Sequence, residues 1–414
     1  MQLLKHQIDG LNETKAFTRC AYYWTMGLGK TFVGSEKLMS FPNTINVVVC
    51  QKSKINDWLE HFAEHYPSVP RYNLSIAKEF SAFFAANTRR VGVINYDLLS
   101  RRKDLAKLKN IALVLDESSL IKNEEAKRTK AVLDLKSDKI VLLSGTPVGG
   151  KYEELYSQCR LLGWNITKDQ FWNRYIYYTA WSPSPYAKPI KIVRGYRNVD
   201  ELKRKLREHG ANFLASDNVL KLPAQTFQTH HIQTTSEYNT FIRDRIVEIG
   251  SDELRGDTTL TMMLGLRKLC SIYNKHKIQA FEDILQSTSE RLIVFYNFND
   301  ELKQLRSLVP KNKVSVISGP EKDLTAYNKE SDSVTFVQYQ AGALGLNLQL
   351  ANRIVYFSLP LSSELFEQSK KRIHRIGQTK PCYYHYLICK DSIEEDILNT
   401  LNQRNDYTVE LFRM

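Results

Sequence analysis

The chain has 414 residues and a mass of 48.0 kDa, which exceeds one compact core and predicts two domains of ordinary size. Hydrophobic residues make up 43% and charged residues 25% of the chain, and this globular balance excludes wholesale disorder. The 58 Lys and Arg outnumber the 45 Asp and Glu, and the net charge of +13 favours a polyanionic partner such as nucleic acid.

The apolar runs and the cysteines indicate the cellular compartment of such a chain. No apolar run in the sequence approaches the roughly 18 residues of a membrane span. Lys5, His6 and Asp9 interrupt the first residues, unlike the apolar core of a secretion signal. Six cysteines are scattered without a Cys-x-x-Cys pair, which indicates reduced thiols rather than disulfides or a zinc site. We therefore expect a soluble, cytoplasmic protein with no membrane partner.

The first third of the chain alternates short β-branched runs with segments of helical spacing. The predicted strands and helices are Ile45–Cys50, Ile55–Tyr66, Val91–Ile94, Ile111–Leu115, Glu124–Leu135 and Ile140–Leu143. Such alternation indicates a parallel sheet covered by helices on both faces. The same alternation occurs later in the chain, where the predicted strands are Arg291–Phe295, Val314–Ile317, Val334–Val337, Ile354–Phe357 and Tyr383–Ile388. The sequence therefore predicts an α/β protein with two such units in tandem.

The segment between these units has a different composition. Aromatic residues crowd Phe171–Tyr186, and we expect them mainly in the core, with base stacking as the alternative. Asp200–His209 has helical spacing, and Gly210 suits its C-terminal cap. The hinge between the units is predicted at Lys221–Ala224. This divides the chain into residues 1–222, with a helical, aromatic-rich insertion at about 150–215, and residues 223–414.

A glycine-rich loop follows the first aromatic stretch. It comprises Met26, Gly27, Leu28, Gly29, Lys30 and Thr31. Glycines allow successive backbone N–H groups to hold phosphate oxygens at a helix N-terminus. Lys30 would place its ammonium on the β- and γ-phosphates, and Thr31 would offer its hydroxyl to Mg²⁺. The full phosphate-loop pattern has another glycine where Trp24 stands, so an ordinary glycine turn is the alternative.

Two carboxylates end one of the predicted strands. Asp116 and Glu117 follow the apolar run 111–115, and ligands of open parallel sheets bind at this edge. Asp116 can hold the Mg²⁺ shell there, and Glu117 can polarise an attacking water. The next predicted strand leads into Ser-Gly-Thr-Pro at residues 144–147. Together these segments favour a nucleoside-triphosphate site over a solvated strand end.

These segments resemble the motor core of superfamily-two helicases, in particular the Swi/Snf-type DNA translocases. In that family Met-Gly-Leu-Gly-Lys-Thr, Asp-Glu-x-x and Ser-Gly-Thr-Pro are the first three motifs, and Gln7 resembles the glutamine that reads adenine. This chain has Asp-Glu-Ser-Ser, whereas many relatives carry His or Gly-His there. Further resemblances around residues 49–58 and 95–96 imply four residues that contact nucleic acid, namely Lys52, Ser53, Asn95 and Tyr96.

The second half resembles the fifth motif of the same family at Ala341–Leu348. The resemblance implies that Ala341 and Gly342 contact nucleic acid and that Gly345 contacts the nucleotide. It extends over nearly the whole chain, from residue 3 to about residue 397. It therefore implies two RecA-like parallel-sheet lobes in tandem, with a helical insertion between them.

The run Gln368–Gln378 resembles the sixth motif, with Gln368 at the nucleotide. Its Arg-Ile-His-Arg-Ile-Gly-Gln sequence places Arg372 and Arg375 one helical turn apart if the segment is a helix. Two such guanidinium groups are suited to meet a γ-phosphate across a cleft as arginine fingers. The alternative is a solvated basic helix face.

The resemblance implies a nucleic-acid-stimulated ATPase that uses ATP and Mg²⁺ and translocates along duplex DNA without sequence preference. A strand-separating DNA or RNA helicase and an ATP-gated DNA clamp stay open as alternatives. Little of the chain is left for a chromatin-reading module, so it is most similar to compact viral or bacterial motors of replication, recombination or repair. We accordingly expect a monomeric motor on duplex or branched DNA in a bacterial or virus-infected cell, with a nuclear location as the alternative.

Two weaker signals have plainer interpretations. His61-Phe62-Ala63-Glu64-His65 satisfies the zinc pattern His-x-x-Glu-His, whose imidazoles could share a metal. The segment lies in the predicted helix that carries Trp58, so we favour a solvated helix face. The basic runs at residues 101–103 and 203–207 are interpreted first as solvated faces and second as nucleic-acid patches.

Overall fold

The computed structural model describes residues 2–182, 184, 186–187, 189–216, 219–250, 252–342 and 346–412. The chain divides into two units, Met1–Val219 with Asp406–Met414, and Leu220–Asn405. The boundary lies next to the predicted hinge at Lys221–Ala224. None of the described helices combines the length and the apolar character that a membrane span requires.

The first unit alternates strands and helices along the chain. Its strands are β1 (Arg19–Trp24), β2 (Ile45–Cys50), β3 (Arg71–Asn73), β4 (Arg90–Asn95), β5 (Ile111–Asp116), β6 (Lys139–Ser144), β7 (Ile176–Trp181), β8 (Ile190–Tyr196) and β9 (Ala211–Leu214). Its helices are α1 (Lys5–Glu13), α2 (Lys30–Ser40), α3 (Ile55–His65), α4 (Ala77–Ala85), α5 (Tyr96–Leu99), α6 (Lys127–Asp134), α7 (Tyr156–Leu161), α8 (Lys168–Tyr175) and α9 (Val199–Glu208). Seven strands form a parallel sheet in the order β3-β4-β2-β5-β6-β1-β9, and β7 and β8 form a separate antiparallel hairpin.

The second unit contains another seven-stranded sheet. Its strands are β10 (Gln225–Ile232), β11 (Ile246–Ile249), β12 (Asp252–Arg255), β13 (Leu292–Tyr296), β14 (Val314–Ile317), β15 (Lys322–Asp323), β16 (Val334–Gln338), β17 (Arg353–Tyr356) and β18 (Cys382–Cys389). Its helices are α10 (Ser236–Asp244), α11 (Thr259–Cys270), α12 (Lys275–Gln286), α13 (Asn299–Arg306), α14 (Thr325–Lys329), α15 (Tyr339–Gly342) and α16 (Ser363–Lys370), together with α17 (Ile393–Phe412), whose residues from Asp406 onward are assigned to the first unit. The sheet order is β10-β18-β17-β13-β16-β14-β15, parallel except for β14–β15. The prediction of two RecA-like parallel-sheet lobes in tandem is confirmed.

Strands buried on both faces were the easiest to predict. The bounds of β2 and β14 coincide with the predicted runs, because their Val- and Ile-rich residues are covered by helices. The helix predicted over Glu124–Leu135 begins later, at Lys127, because the backbone of Ala126 is extended. Strand β10 was not predicted, since its Gln-Thr-Phe-Gln-Thr-His-His sequence lies largely exposed at the edge of its sheet.

The inserted segment is not purely helical, and this corrects the prediction. Helices α7, α8 and α9 are accompanied by the β7–β8 hairpin. The aromatic cluster is also divided, because Phe171 and Tyr175 are buried whereas Tyr177, Trp181 and Tyr186 are exposed. Exposure alternates over the first four residues of β7, as expected of a strand with one free face, and its last three residues are all exposed.

A buried ion pair joins two helices of the second unit. The Nζ of Lys277 on α12 lies 2.6 and 2.7 Å from the two carboxylate oxygens of Glu394 on α17, and both side chains are buried. The Cys389 backbone N–H also donates to Glu394, at 2.9 Å. Burial alone would lower the pKa of Lys277, but the adjacent Glu394 carboxylate raises it above the ordinary value. Each charge therefore depends on its partner.

We expect Glu394→Leu to lower the free energy of unfolding of the second unit by about 3–5 kcal/mol, because it leaves a buried ammonium without its counter-ion. Lys277→Met combined with Glu394→Leu should recover most of this loss. Urea unfolding followed by circular dichroism measures both. Asp104→Leu, which breaks the exposed Lys107–Asp104 pair, is the control and should cost less than about 1 kcal/mol. A wild-type unfolding curve for Glu394→Leu would contradict the assignment.

Candidate active site

The phosphate-type loop joins β1 to α2, where the sequence predicted it. Gly27 and Gly29 have φ angles of +89° and +73°, which favour glycine. Lys30 is the first residue of α2, and its Nζ donates to the carbonyls of Trp24 at 2.8 Å and Thr25 at 3.3 Å. The ammonium therefore lies within the concave side of the loop, at a helix N-terminus that is suited to bind phosphate.

Helix α1 packs directly against this loop. The Gln7 side-chain N–H₂ donates to the Leu28 carbonyl at 3.3 Å, and His6 Nε2 lies 3.0 Å from the same oxygen. A Cβ on Gly29 would lie 2.3 Å from Gln7 Nε2, and a Cβ on Gly10 would lie 2.4 Å from the Trp24 ring. The two glycines therefore permit the close approach that brings Gln7 to the loop.

The predicted acid Asp116 ends β5 and is buried. The indole N–H of Trp58, on α3, donates to Asp116 Oδ2 at 2.8 Å, and the Tyr96 hydroxyl donates to the Asp116 carbonyl at 2.9 Å. Burial raises the pKa of the Asp116 carboxyl, while the Trp58 hydrogen bond and the nearby Lys30 charge oppose the rise.

Glu117 connects the second motif to the third. Its φ of +57° places the residue in the left-handed region, and its Oε1 accepts hydrogen bonds from Ser144 Oγ at 2.7 Å and Ser119 Oγ at 3.1 Å. A Cβ on Gly145 would lie 3.4 Å from Lys30 Nζ. Three segments that are distant in sequence therefore converge around one ammonium and two carboxylates, because β1, β5 and β6 end at the same edge of the sheet.

The unusual Ser118 of the second motif has a clear structural partner. Its Oγ donates to Gln158 Oε1 at 2.8 Å, and the Tyr23 hydroxyl donates to the same oxygen at 2.9 Å. The Gln158 N–H₂ donates to the Pro147 carbonyl at 2.7 Å. Gln158 thus links the second motif, the third motif and β1. Sequence analysis missed it, because a single glutamine on an amphipathic helix carries no recognisable signal.

The fifth and sixth motifs are joined within the second unit. Ala341 is buried at the end of α15, next to Gly342, whereas the predicted nucleotide contact Gly345 lies outside the described residues. The Leu348 N–H donates to the Arg372 carbonyl at 3.2 Å. Gln368 is buried on α16, with Glu364 as its side-chain partner at 3.4 Å.

The two predicted arginine fingers do not lie on a helix, which corrects the sequence interpretation. Helix α16 ends at Lys370, and Arg372 and Arg375 lie in the turns that follow it. Arg372 is 2% exposed, and partial burial lowers the pKa of Arg375. The alternative of a solvated basic face is therefore also wrong. Gln378 stabilises the turns by donating to the carbonyls of Gln349, Ala351 and Ile373.

The predicted nucleic-acid residues of the first unit occupy different environments. Lys52 and Ser53 are exposed in a short 3₁₀ turn before α3. The Asn95 side chain accepts from the Leu98 N–H at 2.8 Å and caps α5. Tyr96 is buried, so its phenol is an internal link to the acidic strand rather than a surface contact.

A basic cavity of about 1150 Å³ lies beside α5 and α6, and the sequence indicated only one part of it, residues 101–103, which were interpreted second as a nucleic-acid patch. Two carboxylates, of Asp97 and Asp134, line it together with seven basic side chains. These are Arg101, Arg102, Lys103, Lys127, Arg128, Lys130 and Lys136. The two basic groups are more than 20 positions apart in sequence, and only the fold brings them together. The cavity is suited to bind a polyanion.

Among the described residues, those of the zinc pattern of α3 are not in a group with the spacing of metal ligands. His61 is buried rather than solvated, with Nε2 2.8 Å from Ser35 Oγ, and burial lowers its pKa to about 4. Among the described residues, one group has the arrangement of metal ligands, namely Cys270, Cys389 and Glu394. Glu394 already binds the buried ammonium of Lys277, which accounts for that group without a metal.

Comparison with known families agrees with this arrangement. The SNF2-related domain matches residues 20–275, and the helicase conserved C-terminal domain matches residues 276–377. The two matches together cover the loop, the acidic strand and most of the arginine-containing run.

Individual relatives are distant. Human DNA annealing helicase and endonuclease ZRANB3 is 24% identical over 98% of this chain, which covers 40% of that protein. The Drosophila melanogaster SWI/SNF-related matrix-associated actin-dependent regulator of chromatin subfamily A-like protein 1 is 24% identical over 92% of this chain, which covers 52% of that protein. Among solved structures, the Sulfolobus solfataricus SWI2/SNF2 ATPase core in complex with dsDNA has a TM-score of 0.47 and 22% identity, over 99% of this chain and 92% of that chain. The chain thus spans about half or less of these two curated relatives.

We expect Trp58→Phe to shift the acid limb of triphosphate hydrolysis to higher pH. A hydrogen bond to an ionised carboxylate lowers its pKa, so loss of the indole N–H raises the pKa of Asp116 further. Activity that requires the ionised form is then lost sooner as the pH falls. The pH dependence of kcat/KM measures the shift, with Trp164→Phe as the control. An acid limb identical to the wild type would contradict a functional role for this bond.

Proposed function

This chain belongs to the SNF2-related family, and we propose that it is an ATP-driven motor that translocates along double-stranded DNA. The family consists of helicase-like ATPases with DNA-related homologues. Beyond this family membership, we propose three properties. The chain moves on duplex DNA, nucleic acid stimulates its hydrolysis of ATP, and it remodels DNA structures or displaces bound proteins.

The observation that carries the proposal is the convergence of Lys30, Asp116 and Glu117 at one sheet edge. The Asp116 pKa depends on the Lys30 charge, and Glu117 is fixed by a hydroxyl of the third motif. A loop of backbone N–H groups with a lysine fits a triphosphate, and hydroxyl and carboxylate oxygens are the ligands that Mg²⁺ prefers. The residues present therefore fit both ATP and its metal.

Each residue has a separate role in the proposed hydrolysis. Lys30 neutralises phosphate charge, and Thr31 and Asp116 would hold Mg²⁺, which supplies further charge stabilisation when bound. Glu117 orients and polarises the attacking water, because Ser144 and Ser119 fix its carboxylate. Gln7 lies against the loop, where it would recognise the adenine.

The second unit supplies the arginines in this proposal. Arg372 and Arg375 would approach the γ-phosphate when the two lobes close, and would lose that partner after hydrolysis. In this proposal, each cycle of binding and hydrolysis would bring the arginines to the phosphate and then release them. Contacts of each lobe with the DNA backbone would convert that motion into steps.

The DNA contacts of the first unit are proposed to involve the exposed Lys52 and the basic cavity beside α5 and α6. Lys and Arg bind backbone phosphates without reading bases, so we expect little sequence preference and strong salt dependence. The family of this chain and the names of its relatives, which refer to DNA, support DNA as the polyanion.

One experiment tests the proposal and distinguishes a translocase from a strand-separating helicase and from an ATP-gated clamp. The ATPase rate is measured without polymer and with single-stranded DNA, duplex DNA, branched DNA and RNA. We expect duplex or branched DNA to stimulate most, with displacement of a triplex-forming strand and no unwinding of a forked duplex. Unwinding of the fork would favour a helicase. Weak stimulation without displacement would favour an ATP-gated clamp.

Replacing Lys30 by Ala should lower hydrolysis by at least about a hundredfold, because the charge that faces the phosphates is lost. Steady-state phosphate release measures the effect. Lys78→Ala, on the exposed surface of α4, is the charge-matched control and should retain activity. Wild-type turnover by Lys30→Ala would exclude this loop as the phosphate site.

Glu117→Gln should bind ATP with nearly unchanged affinity but reduce turnover by about 10²- to 10⁴-fold, because the amide cannot polarise water. A fluorescent-nucleotide titration beside a turnover assay distinguishes binding from chemistry. Loss of binding together with turnover would instead indicate a structural role.

Arg375→Ala should reduce turnover by about 10³-fold or more, the range of arginine fingers, and leave DNA affinity nearly intact. Arg375→Lys should restore little of the turnover, because an ammonium lacks the planar, forked N–H donors of a guanidinium. The control is Lys380→Ala, an exposed cation of the same unit that pairs with Glu290. Turnover that survives the loss of Arg375 would argue against a shared site.

A further inference from the structure

The β7–β8 hairpin has two faces with different environments. On its inner face Tyr178, Val193 and Tyr196 pack against the core of the first unit. Lys191 Nζ lies 5.0 Å from the ring centroid of Trp172 and 4.8 Å from that of Tyr178. Because a two-stranded hairpin is marginally stable alone, this packing accounts for its stability.

Among the described residues, those of the outer face lie outside this core cluster. Cross-strand pairs place four large apolar side chains on it, namely Tyr177, Trp181, Ile190 and Ile192, which are 57%, 54%, 53% and 37% exposed. Arg194 lies on the same face, since its Nε donates to Thr179 Oγ1 at 3.1 Å. A Cβ added to Gly195 would meet nothing within 4 Å. An exposed apolar face of this kind is typical of a binding surface.

Charge indicates which partner suits this face. Among the described residues, Arg194 supplies a positive charge on the outer face, whereas Lys191 lies on the inner face, 3.6 Å from a carboxylate oxygen of Asp169. Residues 176–198 contain neither Asp nor Glu, so a second copy docked through the same face would bury Arg194 without a carboxylate from the partner hairpin, which disfavours self-association. Phosphates neutralise such charges, and the flat faces of bases stack on exposed aromatic rings.

We propose that the outer face of the β7–β8 hairpin is a stacking platform for unpaired nucleotides of single-stranded DNA. Tyr177 and Trp181 are four residues apart on one strand, about 13 Å, which leaves room for each to stack on a different base. Arg194 lies between the two rings along the strand, and its guanidinium contacts a phosphate of the DNA backbone. Paired bases in a duplex already stack on one another, so the platform selects unpaired strands. This inference goes beyond the proposed function, and it holds whether or not the chain translocates.

Fluorescence anisotropy with the full chain tests the platform. The probe is a labelled 20-nucleotide oligo-dT without ATP, compared with a blunt duplex of equal length. Trp181→Ala should weaken oligo-dT binding about tenfold, and Tyr177→Ala with Trp181→Ala more, while duplex affinity stays within about twofold. Trp181→Phe should retain binding, which shows that an aromatic face suffices. Phe227→Ala, which removes a similarly exposed ring from the second unit, should change nothing.

Two further readouts separate stacking from a change in folding. Arg194→Gln should lower the slope of log affinity for oligo-dT against log salt concentration by about 0.7, the loss of one phosphate contact. Lys30→Ala should bind oligo-dT like the wild type, so a failure of the proposed ATPase is distinguishable from a failure of the platform.

Three outcomes would overturn the inference. One is wild-type oligo-dT binding by the Tyr177 and Trp181 double variant. Another is an equal loss of affinity for oligo-dT and duplex, which would mark a general phosphate surface. The third is an unchanged DNA affinity with a shift in sedimentation, which would identify the face as a protein-docking surface.

Discussion

The buried carboxylate of Asp116 is the feature on which the site depends. A parallel sheet brings the ends of β1, β5 and β6 to one edge, and the carboxylate at the end of β5 is removed from water there. Such a charge requires compensation, which Trp58 supplies through its indole N–H and Lys30 through its charge. The apolar core of the first unit therefore determines where the acid lies and also how readily it stays ionised.

Around that acid, each motif is held by a neighbour from another motif. Ser144 fixes Glu117, Gln158 connects Ser118 with the third motif, and Gln7 reaches the loop because Gly29 has no side chain. In the second unit, hydrogen bonds join the fifth motif to the turns that carry the arginines. Within each unit, hydrogen bonds therefore connect one motif to another.

How much the sequence could predict depended on the kind of signal. The bounds of Val- and Ile-rich strands such as β2 could be predicted from their apolar runs. The glycine-rich loop and the acid pair could be recognised because their chemistry requires particular residues in a particular order. The sequence did not predict which residues distant along the chain lie close together in the fold. The role of Gln158, the burial of Tyr96 and the basic cavity arise from residues far apart in sequence. The turns around Arg372 were mistaken for a helix, whereas α16 ends at Lys370 and the Gln378 side chain donates to the Ile373 carbonyl within the turns.

We propose that one unit binds the triphosphate and that the arginines of the other complete its hydrolysis. The most direct measurement is a crystal structure of the full chain with Mg²⁺, ADP and aluminium fluoride, which imitates the transferred phosphoryl group. The account predicts that a guanidinium of Arg372 or Arg375 donates to the fluoride ligands while Lys30 contacts the same group. A fully occupied complex in which both arginines stay beyond hydrogen-bonding distance of the fluoride would contradict it.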